Sequence, residues 1–196
     1  QIVASWGDIE RVDPTFSATK SYIGLCAAIA HRDGLIRNFD DLAGDYDSLK
    51  EFSSDHNSAI TWRHLLQQTS EWEGTLWSKP DQVDRNRQVG PDANHSQKGQ
   101  PRQLMEPGGY WEYNDVRVNL VALCLTRLFE TSLSDVLRKN IMDPIDASHS
   151  WEWHGYRNSY IEIKGRLVQS VSGGAHWGGG LWISSLDHAR MGLLIS

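Results

Sequence analysis

The chain has 196 residues, of which 39% are hydrophobic and 22% are charged, and its formal net charge at pH 7 is -6. This length and composition predict a single globular domain over residues 1–196 with a buried core. An acidic chain lacks the clustered Lys and Arg side chains of a nucleic-acid surface, which excludes nucleic acid as a partner. The longest apolar run, Leu120 to Leu125, is far shorter than the roughly 20 residues of a transmembrane helix, so no membrane span is predicted.

The two ends of the sequence bear on its extent and location. The chain begins with Gln1 rather than Met, and residues 185–196 still follow an apolar helical pattern where it stops. We therefore expect a domain that is incomplete at both ends. If a leader lies upstream, the protein is periplasmic or secreted, and otherwise it is cytoplasmic. The sequence does not decide between these compartments. Cys26 and Cys124 lie in apolar runs without metal-ligand spacing, which predicts buried free thiols.

The first half of the chain favours helices. Residues 14 to 31 have apolar positions on several sides, which predicts a central, buried helix before the turn at Arg32-Asp33-Gly34. Thr61 has the position of an N-cap for a short helix that ends near Thr69. Residues 73 to 107 are rich in Gly, Pro, Asn and Gln and too long for a simple connection, so we expect an ordered loop that overhangs the functional site.

The second half changes from helices to strands. Apolar residues recur at helical spacing from about Val116 to Phe129, and Ser132 or Ser134 caps a further helix that runs toward Met142. Residues 151 to 184 combine β-branched and aromatic residues with Gly-rich turns, which predicts short strands. Helices followed by strands favour a mixed α/β (α+β) fold.

The chain contains one Ser-x-x-Lys sequence, Ser17-Ala18-Thr19-Lys20, at the start of the first predicted helix. Residues three apart share a helix face, so the Lys20 amine can reach the Ser17 hydroxyl. A neighbouring base makes a serine hydroxyl nucleophilic, and a helix N-terminus stabilises the negative charge that forms after attack. Matches this short also arise by chance. On these residues alone, a helix-start serine beside a solvated lysine remains the alternative.

Four segments extend this pattern along the chain: Phe16-Ser17-Ala18-Thr19-Lys20-Ser21, Ile60-Thr61-Trp62-Arg63-His64-Leu65-Leu66, Pro107-Gly108 before Trp111-Glu112-Tyr113, and His176-Trp177-Gly178-Gly179-Gly180. In this order they resemble the β-lactamase-related serine hydrolases, which include class C β-lactamases and penicillin-binding-protein-like esterases and amidases. The resemblance covers nearly the whole chain. It implies a β-lactamase/transpeptidase-like fold, an antiparallel sheet flanked by helices with a helical lobe. It also implies no metal and no organic cofactor.

The resemblance assigns a role to Tyr113-Asn114-Asp115, which stands where the family has a Tyr-x-Asn triplet. In that family the tyrosine is a general base and proton shuttle, so Ser17, Lys20 and Tyr113 are the implied catalytic residues. Asp115 replaces the usual Asn. A carboxylate there would favour the charged form of Lys20 and shift the base role toward Tyr113. A hydrogen-bonded aromatic at a helix entrance would also explain Tyr113.

A literal Tyr-x-Asn also occurs at Tyr156-Arg157-Asn158. It lacks the Pro-Gly approach and the apolar helix that flank Tyr113, so we favour Tyr113.

The family's third element, Lys-Thr-Gly, resembles His176-Trp177-Gly178, with His in place of Lys as in esterase-like members. The implied substrate-binding residues are Asp115, His176, Trp177, Gly178 and Gly179. The implied oxyanion donors are the backbone N–H groups of Ser17 and Gly179. Since His is mostly neutral at pH 7, an ester or a less anionic amide is more plausible than a substrate held by its carboxylate. A turn with tight strand packing would explain the glycines equally well.

The sequence therefore predicts a serine hydrolase that cleaves a small-molecule ester or amide bond, β-lactams included, through an acyl-enzyme on Ser17. The alternative is the same fold without catalysis, a penicillin-binding-like module for binding or sensing. Asp115 and the missing Lys of the third element keep that alternative open. The sequence lacks His-Glu-x-x-His and other zinc-ligand spacings, which argues against a metal enzyme. It specifies neither the substrate nor the oligomeric state.

Overall fold

The computed structural model describes residues 2–46, 49–174 and 180–196. Its main sheet consists of β1 (Val12–Pro14), β4 (Glu152–Ile163), β5 (Arg166–Val171) and β6 (Gly180–Ser184). These strands lie in the order β1-β6-β4-β5, and every neighbouring pair is antiparallel. The first part of β4 pairs with β6 and its last part with β5, with a register shift between Gly155 and Tyr160. One bent strand therefore joins the two halves of the sheet.

Five α-helices surround this sheet: α1 (Thr19–Arg32), α2 (Trp62–Leu66), α3 (Asp115–Phe129), α4 (Leu133–Leu137, followed by a π-helical segment Arg138–Met142) and α5 (Ser185–Ile195). Helices α1 and α3 pack against each other, α3 and α4 contact β5, and α5 contacts β6. Residues 115–126 of α3 are all buried, so this helix lies at the centre of the core. A helix covered on all sides has no polar face, which explains its long apolar sequence. The predicted antiparallel sheet flanked by helices is confirmed.

The N-terminal end of α1 differs from the prediction. Residues 14 to 31 were predicted as one helix, but Pro14 ends β1 and a 3-10 turn, Phe16–Ala18, precedes α1. The backbone N–H and the hydroxyl of Thr15 both donate to the Leu181 carbonyl at 2.9 Å. The Leu181 N–H in turn donates to Thr19 Oγ1 at 3.1 Å. These bonds fix the 3-10 turn on β6 and explain why the regular helix begins late.

The predicted loop from 73 to 107 contains regular structure that the sequence did not indicate. A hairpin of β2 (Thr75–Leu76) and β3 (Lys79–Pro80) is followed by a 3-10 turn, Asp81–Asp84. Its two-residue connection, Trp77 and Ser78, has positive φ at both positions, +49° and +65°. Hairpin turns of this kind usually carry Asn and Gly. Because neither residue is present here, the hairpin has no turn signal in the sequence.

A buried ion network holds this loop against α3. Arg117 of α3, with a side chain only 2% exposed, contacts Glu71 at 2.9 Å and both Asp81 and Glu112 at 3.2 Å. Arg102, near the far end of the loop, contacts Glu71 at 2.6 Å and Glu112 at 3.0 Å. Buried charges persist in proteins when they are paired in this way. The network therefore fixes both ends of the loop to the core.

Both cysteines are buried and free, as predicted. Burial raises the pKa of the Cys26 thiol to about 12 and moves that of Cys124 in the same direction. These thiols therefore stay protonated and unreactive at neutral pH. Within the described residues, no helix combines the length and apolarity needed to cross a membrane.

Candidate active site

Ser17, Lys20 and Tyr113 meet in one cluster at the edge of the helical core. The Tyr113 hydroxyl donates a short hydrogen bond to Ser17 Oγ, and Lys20 Nζ donates to the same oxygen at 3.3 Å. Ser17 is exposed, while Lys20 and Tyr113 are half-buried. A serine hydroxyl open to solvent and contacted by two groups able to exchange protons is the arrangement that nucleophilic catalysis needs.

Ser17 lies in the 3-10 turn that β6 anchors through Thr15 and Thr19. The residue before it, Phe16, has φ of +49° and is 64% exposed. A left-handed conformation is unfavourable for a bulky side chain and is found where the surrounding structure imposes it, often at functional sites. The first amides of a helical turn lack acceptors within the turn, so the Ser17 N–H is suited to bind an oxyanion.

Tyr113 is positioned by the chain that follows α2. The Gly108 N–H donates to the Thr69 carbonyl at 2.8 Å, and the Glu112 N–H donates to the Gln68 carbonyl at 3.1 Å. Gly108 has φ of +91°, and a Cβ there would lie 2.8 Å from His64 Nε2. Burial lowers the pKa of His64, so its neutral ring can pack closely on this glycine. The Pro-Gly approach is therefore a steric requirement for the path to Tyr113.

Asn114 and Asp115 have separate roles at the start of α3. The Asn114 side-chain oxygen accepts from the N–H groups of Val116 and Arg117 at 3.1 and 3.2 Å, which makes Asn114 the N-cap. The Asp115 carboxylate instead turns toward the cluster, where Oδ1 lies 2.6 Å from Lys20 Nζ. Within this triplet, Tyr113 therefore contacts Ser17, whereas Asp115 contacts Lys20.

Arg87, from the long loop, completes the charges around the cluster. Its Nη1 lies 2.8 Å from Asp115 Oδ2 and 3.4 Å from Asp84 Oδ1. Burial works to raise the pKa of Asp115, but the Lys20 and Arg87 cations outweigh it and hold that pKa below its usual range. Asp115 is therefore an ionised carboxylate between two cations at neutral pH.

The described chain reaches the cluster again after β5, at Gly174. A Cβ on Gly174 would lie 3.3 Å from Lys20 Nζ, and the preceding Gly173 donates its N–H to Asn119 Oδ1 at 2.8 Å. The next segment holds His176, Trp177, Gly178 and Gly179, four of the predicted substrate-binding residues, and lies outside the described residues. Their roles remain predictions. Among the described residues, no group of three or more His, Cys, Asp or Glu side chains is arranged to hold a metal ion.

Tyr156, from the second Tyr-x-Asn sequence, lies apart from this cluster. Its ring packs edge-on against Trp77 at a centroid distance of 5.6 Å, and its hydroxyl accepts from Asn119 Nδ2 at 3.4 Å. These contacts place Tyr156 in a cavity of about 200 Å³ beside the β2–β3 hairpin. Tyr113 is the tyrosine that donates a hydrogen bond to Ser17 Oγ.

Comparison with known proteins identifies the family of this chain. Residues 12–156 match the family described as Beta-lactamase, nearly three quarters of the chain. The chain belongs to the β-lactamase family. This membership places it in the serine hydrolase superfamily, and it carries the β-lactamase/transpeptidase-like fold. No curated protein sequence matches the chain significantly.

Solved structures share the fold of this β-lactamase-family chain at low sequence identity. An octameric penicillin-binding protein homologue from Pyrococcus abyssi is 20% identical, with a TM-score of 0.58 over 93% of this chain and 44% of its own. A penicillin-binding protein from Bacillus halodurans is 15% identical, with a TM-score of 0.59 over 94% and 58%. A Bacillus anthracis protein, provisionally described as a 6-aminohexanoate-dimer hydrolase, is 15% identical, with a TM-score of 0.62 over 98% and 49%. The chain thus spans about half the length of these structures.

Sequence reasoning missed Arg87 at the site of this β-lactamase-family chain. Arg87 lies in the polar segment Asp84-Arg85-Asn86-Arg87, where charges are ordinarily solvated. Only the folded path of the loop brings it within 2.8 Å of Asp115, 28 residues away. The unexpected Asp115 was the available signal, because a buried carboxylate beside one cation commonly has a second partner.

Proposed function

We propose that this chain carries the reactive serine of a hydrolase that cleaves an ester or amide bond through an acyl-enzyme on Ser17. The observation that supports the proposal most directly is the contact of Tyr113 and Lys20 with Ser17 Oγ, made across 96 residues of sequence for Tyr113. A structural hydrogen bond alone would not require the serine to be exposed. Here Ser17 is an exposed residue, and both groups contact its hydroxyl oxygen.

In the proposed acylation step, Ser17 Oγ attacks the substrate carbonyl carbon. Tyr113 donates to Ser17 Oγ in the resting structure, so it must first release its hydroxyl proton to solvent. The Oγ–C bond then forms as the serine proton passes to the Tyr113 oxygen, whose negative charge the nearby Lys20 cation offsets. The N–H groups of Ser17 and Gly179 are the proposed donors to the oxyanion. The bond to the leaving group then breaks, and the leaving group takes the proton from Tyr113. Water attacks the ester on Ser17 with proton removal by the same pair, which releases the acid and restores the serine.

The charges at the site bear on the class of substrate. Within the described residues, the two cations beside Tyr113 are each paired with a carboxylate: Lys20 with Asp115, and Arg87 with Asp115 and Asp84. A substrate carboxylate would have to compete with these acids. An uncharged ester or amide is therefore the better fit, and we propose β-lactams as secondary substrates. His176, Trp177 and Gly178 are the proposed contacts on the opposite side.

A binding or sensor module without turnover is the second candidate, and the Lys20–Asp115 contact of 2.6 Å favours it. An ammonium held by a buried carboxylate is a poor proton acceptor, so a pocket could persist without catalysis. The two candidates differ in whether Ser17 reacts covalently.

The deciding experiment is intact-mass measurement of the protein after incubation with a fluorophosphonate and, separately, with a penicillin. A penicillin is the second probe because one structural neighbour is named as a penicillin-binding protein and another as a homologue of one. Ser17→Ala tests the nucleophile. Ser21→Ala, which changes an exposed serine in the first turn of the adjoining helix α1, is the matched control.

A fluorophosphonate adduct on the wild-type protein and on Ser21→Ala, but not on Ser17→Ala, is the expected result. A penicilloyl adduct on the same serine would add β-lactams to the substrates. Folded wild-type protein that forms no adduct with either reagent would reject the hydrolase and leave the binding module.

A further inference from the structure

The Asp115 carboxylate divides its contacts between two cations from different parts of the chain. Oδ1 lies 2.6 Å from Lys20 Nζ of α1, and Oδ2 lies 2.8 Å from Arg87 Nη1 of the long loop. The Asp115 side chain is 7% exposed and that of Arg87 is 21% exposed, so water screens these contacts only weakly. Each oxygen of the carboxylate thus has its own positive partner.

Without Arg87, the full charge of Asp115 would act on Lys20, and Oδ2 would lose the cation that contacts it in the described part of the chain. The uncompensated charge of Asp115 would then offset the Lys20 cation and weaken the support that Lys20 gives to deprotonated Tyr113. With Arg87 present, the carboxylate is neutralised from both sides. Arg87 therefore offsets the electrostatic cost of having Asp, rather than an uncharged amide, at position 115.

Arg87 also faces the proposed base directly. Its guanidinium carbon lies 4.7 Å from the centre of the Tyr113 ring, and Lys20 Nζ lies 4.6 Å from the same centre. Cations at this range are attracted to an aromatic ring and stabilise a phenolate more than a phenol. Arg87 thus acts on Tyr113 and on Asp115 at once without touching Ser17.

We propose that Arg87 is a positioning residue for the reaction of Ser17, and that it forms a matched charge pair with Asp115 in which the loss of either charge is corrected by the loss of the other. The inference rests on the proposed function, since it concerns how readily Ser17 reacts.

The charged and titratable groups around Tyr113 come from three elements. Lys20 faces it from α1, Arg87 faces it from the loop, and Asp115 lies two residues along on α3. One contact further out, Asp84 is shared by Arg87 and Lys98. Changing Arg87 to a neutral residue removes one positive charge from this set, and changing Asp115 to Asn removes one negative charge. The double change leaves the net charge as it was.

The test compares fluorophosphonate labelling rates as a function of pH in four proteins: wild type, Arg87→Gln, Asp115→Asn and the double variant. Arg87→Lys is added because it keeps the charge. Arg85→Gln is the matched control, since Arg85 lies two residues away and contacts Asp81 at 2.8 Å rather than Asp115. Thermal melting confirms that each variant is folded.

We expect Arg87→Gln to lose about 10-fold or more in labelling rate at neutral pH, and the double variant to recover to within about threefold of wild type. The pH of half-maximal rate should move up in Arg87→Gln, because a cation near the phenolate is lost. It should move down in Asp115→Asn and return close to the wild-type value in the double variant. Arg87→Lys should keep the wild-type profile, and so should Arg85→Gln even if its stability falls.

Additive losses in the double variant, or rates that fall without opposite pH shifts, would show that Arg87 serves only the fold and would overturn the inference. An Arg87→Gln protein too unstable to purify leaves the comparison of Asp115→Asn with the double variant, in which the absence of recovery overturns it equally. A folded wild-type protein without any adduct overturns the proposed function, and the inference with it.

Discussion

Lys20 and Asp115 face each other at 2.6 Å, with side chains only 15% and 7% exposed. A contact this close between partly buried charges fixes the orientation of both side chains. It also determines where the Lys20 ammonium lies relative to Ser17 Oγ, 3.3 Å away. Lys20 thus contacts both Ser17 and Asp115. Removing it should change the reactivity of the serine and the stability of the protein around the carboxylate.

Lys20→Met should reduce fluorophosphonate labelling of Ser17 by about 100-fold or more, because the cation that supports Tyr113 as the general base is lost. The variant should also be less stable, since Asp115 then keeps Arg87 as its only close cation. Labelling kinetics and urea unfolding measure the two effects. Lys139→Met, which changes an exposed lysine, should alter neither. Unchanged labelling in folded Lys20→Met would remove Lys20 from the mechanism.

Tyr113→Phe removes the hydroxyl bonded to Ser17 and keeps the ring that faces Lys20 and Arg87. We expect labelling to fall by about 10²- to 10⁴-fold, the range for loss of a general base, with little change in melting temperature. Tyr110→Phe is the control, because Tyr110 is 42% exposed and contacts Arg102 through its ring. If both variants label at the wild-type rate, Tyr113 is not the base.

Arg117→Met should be the most destabilising of these substitutions. It leaves Glu71, Asp81 and Glu112 without their buried cation, and removing one partner of a buried network costs about 3 to 5 kcal/mol. The measurement is the free energy of unfolding in urea. Arg63→Met provides the contrast, because the Arg63–Asp40 pair is solvent-exposed and should contribute little. Similar losses in the two variants would contradict the structural role given to the network.

Gly108→Ala and Gly24→Ala should have opposite effects. At Gly108, φ is +91° and a Cβ would lie 2.8 Å from His64 Nε2, so alanine should cost about 1 to 3 kcal/mol and slow labelling by displacing Tyr113. At Gly24, within α1, a Cβ meets nothing within 4 Å, so alanine should stabilise by about 0.4 to 1 kcal/mol. Urea unfolding measures whether each variant gains or loses stability. A Gly108→Ala variant with the wild-type free energy of unfolding would contradict the steric argument.

Stability should fall in acid, in part through Asp187 at the start of α5. Burial works to raise the pKa of Asp187, but hydrogen bonds from Ser148 and Arg190 outweigh it and hold that pKa below its usual range. The pKa of an Asp carboxyl in the unfolded chain is about 3.9. As the pH falls, the unfolded chain therefore takes up this proton at a higher pH than the folded chain does. The stabilisation is therefore complete above about pH 5 and is lost as the pH falls through the folded pKa.

Asp187→Asn should accordingly be less stable than wild type at pH 7 and should lose less stability between about pH 5 and pH 3. Urea unfolding at several pH values tests this, and the free energies of unfolding of the two proteins should converge at acidic pH. A constant difference across the range would show that ionisation of Asp187 contributes nothing.

Local signals in the sequence predicted much of the fold. Thr61 and Ser132 are the N-caps of α2 and α4, as expected, because hydroxyl caps act on amides only a few residues away. The apolar pattern located α3 to within one residue at its start. The hairpin at Trp77 and Ser78 could not be predicted, since tertiary contacts such as that with Tyr156 impose its turn.

The residues of the site likewise include some that the sequence predicted and one that it did not. The Ser-x-x-Lys sequence predicted Ser17 and Lys20, the resemblance to a known family implied Tyr113 and Asp115, and the structure brings these four together. Arg87 had no motif, because its role depends on a loop whose path is fixed by a distant ion network. Residue type and spacing thus identify a pair such as Ser17 and Lys20, which lie three residues apart. They do not identify a charge that a long loop delivers from elsewhere.

The span of 96 residues between Tyr113 and Ser17 has a consequence for how the protein assembles. Contacts between residues so distant in sequence form only after a large loop has closed, which places them among the slower events of folding. Partial opening of the long loop or of the 3-10 turn would separate the two hydroxyls while most helices persisted. As urea is added, labelling of Ser17 should therefore disappear before the helical circular dichroism signal does. Covalent labelling would then report on the first cooperative unit of the protein to open.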